Sequence, residues 1–442
     1  MANTKKGLRV GHYRITPLGL GVFGGLIAII VAVIVLLIVQ PFGGTPDAQQ
    51  VDNEAVLQTA TPDPDVSAAP TPTAAPTPTP APRSATIRAL GEIAIETDLL
   101  KSAFNQQDST FDFSPMFSLI SDVVGDADYT IADVEGTLGD TKGFSGDGSK
   151  QMLTPSIILT ALKDCGVDMM MLANDHALDG GFDELQATIR NVSAAGLDYV
   201  GAASSVEEKN TPVIKDINGI KVGFLAYCES MNGNEKNVDA ESLSYGVNLM
   251  ANSNPGADVQ NMRAAGADVI VAFVNWGTML STNATSSQPQ IAAILNSVGV
   301  DVIIGYNPHT VQPALWLETT NSDGTVNRTL CLCATGNFLS NQREDRFNCG
   351  IIFQFTIQEQ ADGTFTIEDP TYIPTYVARS ERTDEATGTT LYDYRTVAAG
   401  QWTDEDAGNL PEGLSYADLQ YMGSVWSYMQ TIMGDTCTIA RE

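Results

Sequence analysis

The stretch from Leu18 to Val39 runs for 22 residues without a charged side chain, and it constrains the whole chain. A helix rises 1.5 Å per residue, so this run covers roughly 33 Å, enough to cross a hydrocarbon core. A helix that is apolar on every face needs lipid or a very large core around it. Lys5, Lys6, Arg9 and Arg14 precede the run, with no acidic residue among them. That flank predicts a cytoplasmic N-terminus. A cleaved signal peptide is the rival reading, but its apolar region is normally ~7–15 residues and ends at a small-x-small site. Gln40-Pro41-Phe42-Gly43-Gly44 is a poor cleavage site. The expectation is a single-pass protein of the plasma membrane. Residues 1–17 form a cytoplasmic tail, 18–39 the transmembrane helix, and the main domain is extracellular.

Residues 40–85 are different material. Thr59 to Pro82 is mostly Thr, Pro and Ala, with Pro62, Pro64, Pro70, Pro72, Pro76, Pro78, Pro80 and Pro82. Repeated proline fixes φ and removes backbone donors, so the segment favours extended polyproline II and cannot pack a core. It reads as a disordered stalk holding the folded part off the membrane.

From residue 86 onward the chain is long enough for a full core. The net charge of −30 disfavours nucleic acid and anionic surfaces, and it fits a solvated exterior. The six cysteines include no C-x-x-C pair, and the pairing of any disulfides is left open. Cys331 and Cys333 are two apart on an expected strand, so they share a face and cannot easily bond each other.

Short apolar runs alternate with amphipathic stretches. Strands are expected over Thr86–Ile95, Tyr129–Val134, Val167–Leu172, Asp268–Val274 and Asp301–Ile304. Helices are expected over Pro115–Val124, Pro155–Cys165 (capped by Thr154), Phe182–Ala195 (opened by Asp179), Val259–Ala265 and Gln288–Val298. Pro212–Ile217 and Lys221–Tyr227 flank Asn218-Gly219, a strong hairpin signal. Two further hairpins are expected around Ser322-Asp323-Gly324 and Asp362-Gly363. Residues 380–442 read as less regular, ending in a helix over Tyr416–Met433. Strand–helix alternation followed by hairpins implies an α/β layered fold.

Several expected strands end in polar, ligand-type side chains: Glu92; Asp133 and Glu135; Asn174, Asp175 and His176; Asn275; Asn307 and His309. In open α/β sheets, sites form at the carboxyl ends of strands. Only three histidines occur in the chain, and His176 and His309 both lie in such segments. Carboxylate, amide and imidazole donors together suit a divalent metal, Mn, Fe or Zn. Each segment alone also fits a turn or helix cap; the recurrence at consecutive strand ends raises the site reading.

Five segments then resemble, in order, the motifs of the bacterial capsule-synthesis protein CapA family. They are Ala132-Asp133-Val134-Glu135-Gly136-Thr137-Leu138, Leu172-Ala173-Asn174-Asp175-His176-Ala177-Leu178-Asp179, Asn275-Trp276-Gly277, Gly305-Tyr306-Asn307-Pro308-His309 and Thr335-Gly336-Asn337-Phe338-Leu339. The resemblance implies an α/β fold, the four-layer αββα sandwich of calcineurin-like metallophosphoesterases, over residues 86–380. Residues 381–442 are then an extension packing on it. It also implies a role in poly-γ-glutamate capsule synthesis or export. The departures are informative. The family pattern has Gly-Asp at Gly91-Glu92, Asn-x-Glu at 133–135, Asn-Asn-His at 174–176, His-Trp-Gly at 275–277 and Gly-His-His-Pro-His at 305–309. Three imidazoles are therefore missing from this chain. The scaffold residues are better kept than the ligands, which suggests a degraded metal site.

Two functions follow as expectations. In the first, the chain is an accessory protein that assists assembly of an anionic surface polymer, alone or with capsule-assembly proteins. In the second, it is a metal-dependent phosphoester or amide hydrolase. Glu92, Asp133, Glu135, Asn174, His176, Asn275 and His309 would then hold metal, and Asp175 or His176 would move protons. A surface interaction module that borrows the fold is a third reading.

Overall fold

The structure is a computed structural model. It describes residues 81–139, 152–285, 287–344, 346–384 and 388–441, together with two short strands near the N-terminus. Those strands, Arg9–Val10 and Tyr13–Arg14, pair antiparallel within a separate unit, Met1–Thr77. The apolar run Leu18–Val39 and the stalk up to residue 80 lie outside the described residues. Among the described residues no helix is long and apolar enough to cross a membrane.

The main unit is α/β and contains two mixed sheets. The first runs in the order Asp198–Val200, Met169–Met171, Tyr129–Val134, Ser84–Ile93, Cys349–Glu359, Phe365–Thr383, Thr390–Ala398. Asn337–Leu339 also pairs with Ser84–Ile93, and Thr438–Ile439 with Phe365–Thr383. The second runs Val213–Ile217, Ile220–Cys228, Val269–Asn275, Val302–Tyr306, Val326–Thr335, Val311–Thr320. In both, the strands carrying the polar ends are parallel neighbours. Val269–Asn275 is buried along its whole length, as its unbroken apolar run requires of a central parallel strand.

One core cluster contains side chains of both sheets, among them Ile87, Ile131, Phe224, Phe273 and Ile304. Tyr129 of the first sheet stacks on Phe224 of the second, with ring centroids 5.5 Å apart. A second cluster joins Ile270, Ala272 and Val274 to Val259 and Met262 of helix Pro255–Ala264 and to Ile291 and Leu295 of helix Ser287–Ser297. Alternate residues of the Val269–Asn275 strand thus serve two different cores, as a period of two demands.

The Asn218-Gly219 hairpin forms as expected, with φ of 54° and 81° at its two central residues, the signature of a type I′ turn. Other expectations need correction. The helix expected over Pro115–Val124 is two short pieces, Ser114–Phe117 and Ser121–Gly125. Ser118 Oγ bonds back to Pro115 O at 2.9 Å, a local bond that competes with the helical ladder. Thr154 does not cap a helix. It lies buried in a strand, Leu153–Pro155, that pairs with Thr137–Gly139, and the helix starts at Ile158. Asp179 does not open the next helix either. That helix is Phe182–Ala195 with Gly181 as its cap, and Asp179 instead accepts from Met152 N and Asn234 Nδ2. Beyond residue 380 the chain is more regular than its sequence suggests. Phe365–Thr383 continues through that point, and Thr390–Ala398 pairs with it along nine residues. Helix Tyr416–Met433 is tied to the sheet by Tyr376 Oη, which donates to Asp418 at 2.8 Å.

Candidate metal centre

Glu92 is aimed by an irregularity in the first strand. The register between Ser84–Ile93 and Tyr129–Val134 shifts between Ala89 and Glu92, as at a β-bulge. Gly91 sits inside this bend, where a Cβ would lie 2.5 Å from Gly336 O, so only glycine fits. Glu92 N donates to that same Gly336 O at 2.8 Å, which fixes the residue. Glu135 follows Tyr129–Val134 and is held by its N–H to Ile93 O at 3.0 Å. His309 comes from the loop after Val302–Tyr306. It has φ of 54°, and Asn307 two residues before has 92°. Two non-glycine residues in the left-handed region of one loop are a strain that surrounding contacts must hold in place.

These three side chains converge. Glu92, Glu135 and His309 are all buried, and one ligand atom from each lies within 4.8 Å of the others. His309 Nδ1 is 3.2 Å from Glu92 Oε2 and Nε2 is 3.3 Å from Glu135 Oε1. Asn337 Oδ1 lies 2.8 Å from His309 Nδ1. The backbone N–H of His309 donates to Glu92 Oε1 at 3.2 Å. Glu92 Oε2, Glu135 Oε1 and Asp133 Oδ2 are buried with no hydrogen-bond partner among the described residues.

Burial pushes the Glu92 carboxyl up to about 7, with Asp133 adding to the rise and His309 opposing it. Burial likewise pushes Glu135 to about 8, against the pull of His309. Asp133 is driven well above the carboxylate range by burial and then by Glu135. Burial works against charge on His309, but Glu135 and Glu92 outweigh it and raise the imidazole to about 10. The cluster therefore sets three buried carboxyls against one imidazole, and burial favours their protonated forms.

The other expected site residues lie around this core in distinct roles. Asn174 Nδ2 donates to Asp133 Oδ1 at 2.9 Å and to Val134 O, while its Oδ1 accepts from Gly136 N. It braces the carboxylate strand in this orientation. Asp175 is buried and accepts from Asn232 Nδ2 at 2.9 Å and Asn275 Nδ2 at 3.4 Å. Asn275 Oδ1 accepts from Cys228 Sγ at 3.4 Å. His176 is not among the three residues whose ligand atoms converge. Its Nδ1 pairs with Asp179 at 2.8 Å, and Nε2 is 3.7 Å from Asp175. Asn307 does not reach the group; its Nδ2 donates to Trp276 O and Gly277 O. Tyr306 Oη donates to Leu90 O at 3.1 Å and ties the two sheets together behind the site.

Sequence reasoning missed Asn232, Asp179 and Asn337 as parts of this network. Asn232 comes from a loop with no strand-end signal. Asp179 and Asn337 lie inside quoted motifs, where they read as cap and scaffold.

The donor set fits one divalent ion. Two carboxylate oxygens without hydrogen-bond donors and one imidazole nitrogen are the hard and borderline ligands such an ion prefers. The remaining amides, Asn174 and Asn275, have their carbonyl oxygens engaged by protein donors.

Two mixed sheets with a buried carboxylate–imidazole cluster where parallel strands end define the protein as α/β. The family model described as "Bacterial capsule synthesis protein PGA_cap" matches residues 86–342, and the chain belongs to that family. It is 24% identical over 254 residues to the PGA biosynthesis protein CapA of Bacillus subtilis (strain 168), covering 57% of this chain and 63% of that protein. It is 22% identical over 247 residues to the capsule biosynthesis protein CapA of Bacillus anthracis, covering 55% and 58%. The match thus spans less than two thirds of either relative's length. Among solved structures, the calcineurin-like phosphoesterase YfkN from Bacillus subtilis aligns with a TM-score of 0.40 and 15% identity, over 79% of this chain and 99% of that one. The Haemophilus influenzae NAD nucleotidase NadN aligns with a TM-score of 0.41 and 10% identity, over 82% and 65%.

Proposed function

We propose that this chain assists assembly or export of a poly-γ-glutamate-type capsule at the cell surface, and that its site holds one divalent cation in place of a two-metal hydrolytic centre. The observation that carries this is the donor set: Glu92, Glu135 and His309 within 4.8 Å of one another. Two buried carboxylates share one imidazole, so the surplus negative charge must be met by a proton or a cation. A bound ion would neutralise these carboxylates and could bridge the acidic protein to a carboxylate of the polymer. The three imidazoles absent relative to the family pattern support a reduced centre. The polymer class is taken from the family and its relatives. Anchoring through Leu18–Val39, an extracellular main domain and the four-layer αββα description of the two sheets with their helices belong to the same reading.

The test is elemental mass spectrometry on the full chain, purified in detergent, incubated with manganese, iron or zinc and desalted. Close to one equivalent, lost in Glu135→Gln and His309→Ala, is expected. A value near zero removes the cation from the reading. Two equivalents would restore the hydrolase.

One observation favours that second reading. The His176 imidazole is raised to about 9: burial opposes the charge, while Asp179, Asp175 and Glu135 favour it. A protonated imidazole beside a cation site is suited to give a proton to a leaving group. Hydrolysis of a phosphoester or amide substrate that survives both Asn174→Ala and His309→Ala would exclude this site from catalysis.

A further inference from the structure

A cleft of about 610 Å³ opens between the Asp198–Val200 strand of the first sheet and the Val213–Ile217 strand of the second. None of Glu92, Glu135 and His309 lines it. Both flanking strands are sheet edges, so their outer backbone groups pair with no further strand among the described residues.

Most charged side chains in the lining are committed. Lys215 Nζ pairs with Asp198 Oδ1 at 2.5 Å, and the other Asp198 oxygen accepts from Tyr129 Oη at 2.7 Å. Glu208 accepts from Tyr199 Oη and, at 2.7 Å, from Ser204 N. Asp258 accepts from Tyr227 Oη at 2.8 Å. Lys209 is the exception. Among the described residues its Nζ has no hydrogen-bond or ion-pair partner, although it is half-buried. Burial holds its pKa below the ordinary lysine value, against the pull of Asp258. Asn248, also in the lining, sends Nδ2 to Ala226 O at 3.0 Å and leaves Oδ1 buried with no donor in reach. Lys209 thus presents a charge that no hydrogen bond or close ion pair consumes, in a chain of net charge −30.

We propose that this cleft is a second binding site, for an amide-linked chain of acidic residues, with a ligand carboxylate on Lys209 and the ligand's amide groups against the open strand edges. A charge-assisted bond supplies strength, and the open strand edges select an amide-bearing ligand. The choice of a γ-glutamyl chain within this class rests on the capsule reading; the cleft itself does not.

The test titrates γ-linked and α-linked tetraglutamate into the full chain in detergent by calorimetry at low salt, beside Lys209→Met and Lys209→Arg. Saturable binding of the γ-linked peptide is expected, weakened about tenfold or more in Lys209→Met and largely kept in Lys209→Arg, as loss of one charge-assisted bond requires. Binding of the α-linked peptide alone, still dependent on Lys209, keeps the cleft and overturns the γ-glutamyl choice. Binding unchanged by Lys209→Met overturns the cleft; if Glu135→Gln abolishes that binding, the capsule reading stands with the polymer at the metal centre. No binding of either peptide at millimolar concentration overturns the proposal.

Discussion

His309 Nε2 lies 3.3 Å from Glu135 Oε1, an ion pair in which both side chains are almost fully buried. The same ring reaches Glu92 through Nδ1, so one imidazole stands between two carboxylates. Removing one member of a buried ion pair strands the other charge and typically costs about 3–5 kcal/mol. His309→Ala should therefore destabilise the cation-free chain by about that much in urea unfolding near pH 7. The loss should shrink at pH 5, where the stranded carboxyls take protons. A His309→Ala chain as stable as the parent at pH 7 would show that the pair is not formed.

The raised carboxyls set a pH dependence whose sign follows from linkage. Glu92 rises from 4.5 to about 7 and Glu135 from 4.5 to about 8. In the unfolded chain they ionise first, so their contribution to the cation-free fold is present below about 4.5 and is lost as pH rises to 7–8. His309 rises from 6.5 to about 10, so its contribution is present below 6.5 and is lost towards 10. Both trends weaken the cation-free fold on the alkaline side. Cation uptake must displace these protons. Manganese or zinc should thus raise the melting temperature more at pH 8 than at pH 5.5. Equal shifts at both pH values would count against a site made from these groups.

The sequence made the strand ends legible because a polar residue closing a buried apolar run is a conspicuous break in pattern. Glu92, Glu135 and His309 were all found that way. Their selection from the wider set was not legible. It depends on the bulge at Leu90-Gly91, which aims Glu92, and on the left-handed backbone at Asn307 and His309. Neither leaves a periodicity to read. Asn174 reads as a ligand in sequence and braces Asp133 in space, because only the fold decides which end of an amide faces a carboxylate. The Thr390–Ala398 strand was legible and was passed over: Tyr392, Tyr394 and Thr396 alternate with Asp393 and Arg395, a period-two pattern of β-favouring residues.

His176 owes its raised pKa, about 9, to Asp179 and Asp175 working against burial. Asp179→Asn keeps the shape and removes the nearer charge. The His176 imidazole should then titrate well below 9 in proton NMR, moving back towards its ordinary 6.5. Because a raised histidine stabilises the fold below 6.5 and loses that contribution as pH approaches 9, the variant should also flatten the stability profile across this window. A His176 titration that stays near 9 in Asp179→Asn would place the source of the shift elsewhere.

Tyr306 stands where the family pattern carries an imidazole, and it tests whether that position still serves the site. Burial drives its hydroxyl above the ordinary tyrosine range, with Asp133 and Glu92 adding to the effect, so it stays protonated and cannot act as an anionic ligand. Its proton is used in a bond to Leu90 O at 3.1 Å, across the two sheets and beside the bulge that aims Glu92. Tyr306→Phe removes that bond at a cost of about 1 kcal/mol, within the range for a lost neutral hydrogen bond. The variant should unfold at lower urea concentration yet bind the same number of cation equivalents. Loss of the cation in Tyr306→Phe, with the fold intact, would mean that the hydroxyl reaches the ion after all. Retention would mean that the position has passed from metal binding to joining the sheets.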